Sequence, residues 1–198
     1  FRRVLFRSLV ERSIHDEFVA KLAERARKMA PGDPMDPKTR LGSLVSRKQM
    51  ESVLGYIEAG RAEGAEVVAG GAHAPIDGKG CFVQATVLAG VRNDMKVAQE
   101  EIFGPVLSVI AFDDLEDAIA KANDVFYGLA SGVWTRDVGK AHTVARRIQA
   151  GTVWVNAYNV YDPAMPFGGY KGSGFGRDLG AASLQEYTHL KSVWLNLE

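Results

Sequence analysis

A short acidic segment, residues 100–106 (EEIFGPV), carries the residue types best suited to bind a polar ligand. An ionised carboxylate only accepts hydrogen bonds, so one held here could bind two neighbouring hydroxyls, such as those of a ribose. Gly104 permits unusual backbone angles and Pro105 fixes φ, which together favour a turn leading into the apolar run 106–112. From these residues alone, a turn with solvated acids is the simpler interpretation.

A second group of candidate residues follows the apolar, β-branched segment 152–156 (TVWVN). Asn156, Asn159 and Tyr161 lie where a parallel strand would pass into a loop, and ligands bind at that carboxyl end of open α/β sheets. Tyr161 and, further along, Phe167 could line a substrate channel, although ordinary aromatic packing explains them equally well.

Other reactive residue types lack the partners that catalysis or metal binding requires. Cys81 has no neighbouring base in the sequence, so we expect an unreactive thiol. The glycine cluster 166–177 (PFGGYKGSGFGR) lacks the spacing of a phosphate-binding loop and is better explained as a tight loop. The histidines show neither metal-ligand spacing nor a Ser-His-acid arrangement: His15, His73, His142 and His189.

The charge balance argues against highly charged partners. The chain has 198 residues, with 24 Lys and Arg against 24 Asp and Glu. A neutral chain gives no reason to expect nucleic acid or a membrane as partner. One cysteine cannot form a disulfide within the chain, which favours a reducing, cytoplasmic setting.

Hydrophobic periodicity predicts alternating strands and helices, and therefore an α/β fold with a largely parallel sheet flanked by helices. Ser13 and Ser46 are the expected N-caps of the first two helices, and Asp113-Asp114 begins a third. We expect the strand at 152–156 to be central. Residues 9–12 can end a strand, the further predicted strands are 65–69, 82–88, 106–112, 129–135 and 152–156, and a further helix is predicted at 138–148.

The C-terminal residues 186–198 alternate well enough for one more strand. A terminal strand with apolar residues needs a sheet edge to join. The segment therefore predicts a β-strand extension that pairs with another subunit or with a further domain.

Taken together, several segments resemble the aldehyde dehydrogenase superfamily, in family order and over residues 9–197. The resemblance implies part of a catalytic domain with a Rossmann-like sheet in residues 1–185, and an oligomerisation strand in 186–198 that would make a homo-oligomer, a dimer or a tetramer. It also implies an oxidoreductase that uses NAD or NADP. The matching segments are 80–87 (GCFVQATV), 99–106 (QEEIFGPV), 127–135 (YGLASGVWT), 150–156 (AGTVWVN) and 166–177 (PFGGYKGSGFGR).

The resemblance assigns a role to five residues. Glu101 corresponds to the glutamate that holds the nicotinamide ribose hydroxyls, and Phe103 to the aromatic residue at the nicotinamide end. Tyr161 and Phe167 fall at positions that line the aldehyde channel, with Asn159 nearby. A lining of this composition favours aromatic or mid-size aliphatic aldehydes.

One departure from the family limits what this chain can do. In the family a cysteine thiolate attacks the aldehyde, hydride leaves to the nicotinamide, and a glutamate-activated water releases the acid. The nucleophile position falls at Arg2, and Cys81 does not replace it. We therefore expect a C-terminal fragment that is inactive alone, or alternatively a catalytically dead oligomerisation or interaction module.

Overall fold

The structure is a computed structural model that describes residues 7–198. These residues form two compact units, with the boundary between Ala118 and Ile119. The predicted domains, residues 1–185 and 186–198, were defined by function rather than by packing, and their boundary stays a prediction.

The first unit is built on a four-stranded sheet in the order β1-β4-β3-β2. β4 is central and parallel to both of its neighbours, whereas the edge strand β2 runs antiparallel to β3. This confirms the α/β fold with a largely parallel sheet. The strands are β1 Arg7–Glu11, β2 Glu66–Ala69, β3 Thr86–Ala89 and β4 Val106–Phe112.

Three helices accompany this sheet: α1 His15–Arg27, α2 Arg47–Ala62 and the single turn α3 Lys96–Gln99. Ser46 caps α2 as predicted, because its Oγ accepts a hydrogen bond from the backbone N–H of Gln49 at 3.1 Å. The cap predicted at Ser13 is wrong. Ser13 lies inside a 3₁₀ turn, and α1 begins after Ile14 without a side-chain cap.

Both faces of the sheet are buried, each by a different helix. Leu88 and Ile110 join one apolar cluster with α2, while their chain neighbours Val87 and Val109 join a second cluster with α1. Consecutive strand residues point to opposite faces, so the two clusters lie on opposite sides. The near-continuous apolar sequence of β4 follows from this double burial.

The second unit contains two small ladders. β6 Ala130–Val133 pairs with β7 Thr152–Val155 in parallel, and β5 Tyr127–Gly128 pairs with β8 Tyr170–Lys171 antiparallel. Within the described residues β7 has only this one neighbour, so its predicted central position is not observed. The helices are α4 Leu115–Asn123, which contains the boundary between the units, and α5 Val138–Arg147.

The tail beyond a last 3₁₀ turn, Ala181–Glu186, has no regular structure in this chain. Its apolar side chains are exposed, including Leu190, Trp194 and Leu197. The oligomerisation strand at 186–198 stays a prediction, because such a strand would need an edge from elsewhere. In the described part of the chain, no helix has both the length and the apolarity to cross a bilayer.

Two glycines, Gly55 within α2 and Gly104 packed against it, make a matched test of the packing of this helix. A Cβ on Gly104 would lie 2.5 Å from Cγ2 of the fully buried Val53, whereas one on Gly55 would meet nothing within 4 Å. We expect Gly104→Ala to lower the free energy of unfolding by about 1–3 kcal/mol. Gly55→Ala, inside the helix, is expected to raise it by about 0.5–1 kcal/mol. Urea denaturation measures both, and equal effects would contradict the packing described.

Candidate functional site

The acidic turn is held between α3 and β4 by tight local packing. Ile102 is fully buried, and the chain folds sharply as Gly104 N–H donates to the carbonyl of Ile102 at 2.8 Å. The φ angle of Gly104 is outside the left-handed region, so the expected need for unusual backbone angles is wrong. Glycine is needed there because any side chain would collide with Val53 of α2.

The two adjacent carboxylates of this turn differ in their surroundings. The hydroxyl of Tyr56 donates to Glu100 Oε2 at 2.7 Å, and Lys96 Nζ lies 3.9 Å from the same oxygen. Glu101 is half-buried and makes no hydrogen bond or ion pair within residues 7–198. Burial raises the pKa of Glu101 above its usual value. Glu101 is therefore the carboxylate whose oxygens are available to hydroxyl donors.

Phe103 presents an exposed ring on the same turn, with 63% of the residue's surface accessible. Its carbonyl accepts a hydrogen bond of 2.9 Å from Nε2 of Gln49. Gln49 lies in the first turn of α2, where Ser46 caps the helix. The start of α2 thus positions Phe103. Sequence reasoning missed Gln49, because nothing in its local pattern indicates a contact 54 residues away.

The second unit contains a chain of aromatic contacts at the end of β7. Trp154 contacts Tyr158 and Tyr161 edge-to-face, with ring centroids 5.0 and 5.7 Å apart. Tyr161 contacts Phe167 edge-to-face at 5.2 Å, and Trp134 stacks on Tyr158 at 6.4 Å. The two predicted channel residues, Tyr161 and Phe167, are therefore in direct contact. The three further rings of this chain of contacts were not predicted as site residues: Trp134, Trp154 and Tyr158.

The backbone that carries these rings is fixed by polar contacts. Asn159 is 9% exposed with a φ of 64°, and Trp154 Nε1 donates to the carbonyl of Val160 at 2.8 Å. Asn156, at φ 51°, accepts from the N–H of Thr135 and donates to its carbonyl at 2.9 and 2.8 Å. Asparagine tolerates these left-handed angles better than most residues. Asn156 and Asn159 therefore shape the loop after β7.

The other residues considered for catalysis or metal binding lie outside the acidic turn and the aromatic contacts. Cys81 is half-buried, and the structure brings it to the same cleft as His73, eight residues earlier in the sequence. Among the described residues, no group of three or more His, Cys, Asp or Glu side chains is placed to bind a metal ion. Arg2, at the family's nucleophile position, lies outside the described residues.

Comparison with known proteins identifies the family. The model of the aldehyde dehydrogenase family matches residues 5–193. The chain therefore belongs to the aldehyde dehydrogenase family.

Individual relatives agree with this assignment. The chain is 47% identical to a betaine aldehyde dehydrogenase of Brucella anthropi, covering 96% of this chain and 40% of that protein. It is 48% identical to the putative aldehyde dehydrogenase DhaS of Bacillus subtilis, covering 97% of this chain and 38% of the relative. The chain thus spans about 40% of the length of the curated relatives it matches.

Solved structures share the same fold. The NAD⁺ complex of an aldehyde dehydrogenase from Bacillus cereus matches with a TM-score of 0.91 and 48% identity, over 97% of this chain and 39% of that chain. An indole-3-acetaldehyde dehydrogenase in complex with NAD⁺ matches with a TM-score of 0.91 and 51% identity, over 96% and 39% of the two chains.

Removing the charge of Glu101 and that of Glu100 should have opposite effects on the stability of the fold. Burial raises the pKa of Glu101 in the folded state above its value in the unfolded chain. As pH rises, the unfolded chain therefore loses this proton first, and the free energy of unfolding falls. We expect Glu101→Gln to raise the free energy of unfolding by up to about 0.5 kcal/mol at roughly pH 8, and this increase to vanish below about pH 4.

Glu100→Gln serves as the control. It is expected to lower the free energy of unfolding by about 0.5 kcal/mol at roughly pH 8, because it weakens the contacts to Tyr56 and Lys96. Urea denaturation at the two pH values measures both variants. A gain for Glu101→Gln that persists at low pH would contradict the assignment to its charge.

Proposed function

We propose that this chain acts as the C-terminal part of the catalytic domain of an NAD(P)-dependent aldehyde dehydrogenase, which oxidises aldehydes to carboxylic acids. The observation that supports this most strongly, beyond family membership, is the half-buried Glu101 carboxylate without a partner in the described residues, two residues from the exposed ring of Phe103. Ribose hydroxyls and a flat nicotinamide ring fit these two groups.

Glu101 suits a ribose because its carboxylate can accept from two hydroxyls at once. Hydrogen bonds are stronger in a partly buried site, and hydroxyl donors would stabilise the charge that burial disfavours. The nicotinamide ribose is common to NAD and NADP, so these residues bind either cofactor. NAD is favoured by the NAD⁺ complexes among the similar structures. The cofactor would supply the hydride acceptor.

The covalent part of the reaction needs a cysteine that we place outside this chain. In the proposed mechanism its thiolate adds to the aldehyde to give a thiohemiacetal, which loses hydride to become a thioester, and water then hydrolyses the thioester. The nucleophile position falls at Arg2, which cannot take this role. The isolated chain is therefore expected to be inactive.

Asn159, Tyr161 and Phe167 are proposed to line the aldehyde channel. The ring contacts of Tyr161 with Trp154 and Phe167 form an apolar wall suited to an aromatic or mid-size aliphatic aldehyde. The similarity to an indole-3-acetaldehyde dehydrogenase supports this. The same aromatic faces would also attract a quaternary ammonium group, and the relatives named betaine aldehyde dehydrogenase favour that second candidate.

A chimera tests the role of Glu101 in catalysis. It joins the N-terminal part of the Bacillus cereus aldehyde dehydrogenase, up to the matched region, to residues 9–198 of this chain. We expect aldehyde-dependent NADH formation, and none from the isolated chain. Glu101→Gln should raise the KM for NAD⁺ roughly 10- to 100-fold, since a hydrogen bond to a charged group contributes about 1.5–3 kcal/mol.

Glu100→Gln is the matched control in the chimera and should change that KM less than about twofold. Equal effects of the two substitutions, or activity of the isolated chain, would contradict the proposal. The same chimera decides the substrate: phenylacetaldehyde and hexanal should have the higher kcat/KM, and a clear preference for betaine aldehyde would overturn the proposed channel chemistry.

Residues 186–198 are proposed to be an oligomerisation strand that makes a homo-oligomer, a dimer or a tetramer. The exposed Leu190, Val193, Trp194, Leu195 and Leu197 support this, because so many apolar side chains in one segment indicate a surface that another chain covers. The alternative of a catalytically dead interaction module rests on the same segment.

Removal of residues 187–198 tests this strand. Size-exclusion chromatography with light scattering should show a fall from oligomer to monomer, because the truncated chain loses its apolar contact segment. As a control for chain length, Trp194→Ala and Leu197→Ala together should weaken assembly while leaving the number of residues unchanged. An unchanged assembly state after truncation would contradict the proposal and the interaction-module alternative alike.

A further inference from the structure

A cleft on the first unit has no part in the proposed reaction. Its volume is about 300 Å³. This is at the lower end of the roughly 300–1,000 Å³ typical of small-molecule pockets. Its lining includes three basic side chains and no acidic one: Arg47, Met50, His73, Gly78, Lys79, Gly80 and Cys81.

Hydrogen bonds fix the loop that forms one wall of this cleft. Ile76 and Lys79 exchange backbone hydrogen bonds of 2.9 and 3.0 Å across a tight turn, and Ala74 N–H donates to the carbonyl of Phe82 at 2.9 Å. The backbone N–H of Leu44 donates to the carbonyl of Cys81 at 2.8 Å, and His73 Nε2 lies 3.0 Å from the carbonyl oxygen of Gly80. The basic side chains thus project from an ordered frame.

The cationic side chains of this cleft have no ion-pair partner in residues 7–198. Neither Arg47 nor Lys79 forms an ion pair within that part of the chain. Arg47 is also the first residue of α2, which has 16 residues, and the amino end of a helix favours anions. The nearest acids in sequence, Glu51 and Asp77, are not among the lining residues.

We propose that this cleft binds a phosphate monoester of a small organic molecule. The guanidinium of Arg47 suits two oxygens of one phosphate, while Lys79 supplies a point charge. The buried Met50 gives an apolar contact for the organic part. The proposal rests on residues 47–81 alone and is independent of the proposed dehydrogenase activity.

Cys81 makes the binding measurable, because it is the one cysteine of the chain and lines the cleft. Iodoacetamide alkylates it when the thiolate sulfur displaces iodide. At a glycerol phosphate concentration of about one to four times its Kd, we expect this alkylation to slow about two- to fivefold relative to sodium chloride at equal ionic strength. Glycerol, which has no phosphate, should have no effect.

Charge variants distinguish phosphate binding in the cleft from an effect of the total charge of the chain on alkylation. Arg47→Gln with Lys79→Gln should abolish the protection, whereas Arg47→Lys with Lys79→Arg should retain most of it. The matched control is Lys48→Gln, which removes the same charge from the neighbouring residue outside the lining. Circular dichroism confirms that each variant is folded. Binding is read independently from broadening of the ³¹P resonance of glycerol phosphate.

The outcomes are distinct. Protection by glycerol phosphate that depends on Arg47 and Lys79, but not on Lys48, would support the site. Protection no greater than that of chloride, or protection unchanged in the double Gln variant, would overturn it. Loss of dehydrogenase activity in the chimera would leave this result unaffected, since the assay uses no cofactor or aldehyde.

Discussion

The contact between Gly104 and Val53 determines where the acidic turn can lie. Val53 is fully buried in α2, and the turn approaches it so closely that no side chain fits at position 104. With Ile102 buried on the same side, the turn has little freedom to move away from the helix. The positions of Glu101 and Phe103 therefore depend on this packing constraint, and the hydrogen bond from Gln49 further holds Phe103.

The same constraint explains how two adjacent glutamates come to differ. Glu100 is directed to Tyr56 and Lys96, which occupy its carboxylate, while Glu101 is left half-buried without a partner in the described residues. A partly buried carboxylate without a donor is costly in a structural element, and such groups concentrate at binding sites. This difference between Glu100 and Glu101 is a physical argument for a ribose site, in addition to the argument from family membership.

Sequence reasoning recovered the features that local patterns encode. The strand at 106–112 and the Ser46 cap follow from hydrophobic runs and side-chain chemistry, and the structure has both. It misjudged Ser13, where a 3₁₀ turn precedes the helix, and it explained Gly104 by backbone freedom instead of packing. The contact of Gln49 with Phe103 could not be predicted, because it joins residues far apart in the chain.

The aromatic group at the end of β7 shows the same limit. Tyr161 and Phe167 were identified, but their contacts with Trp154 and its neighbours depend on a loop shaped by Asn156 and Asn159. Periodicity says nothing about such loops, since their conformation is set by individual hydrogen bonds.

The most direct test of the account is a double-mutant cycle on cofactor binding by the chimera. Calorimetry would compare NAD⁺ with an analogue that lacks the nicotinamide ribose hydroxyls, in the parent chimera and in Glu101→Gln. If Glu101 binds those hydroxyls, the analogue loses affinity only in the parent chimera, with a coupling energy of about 1.5 kcal/mol or more. Additive effects, within about 0.5 kcal/mol, would contradict it.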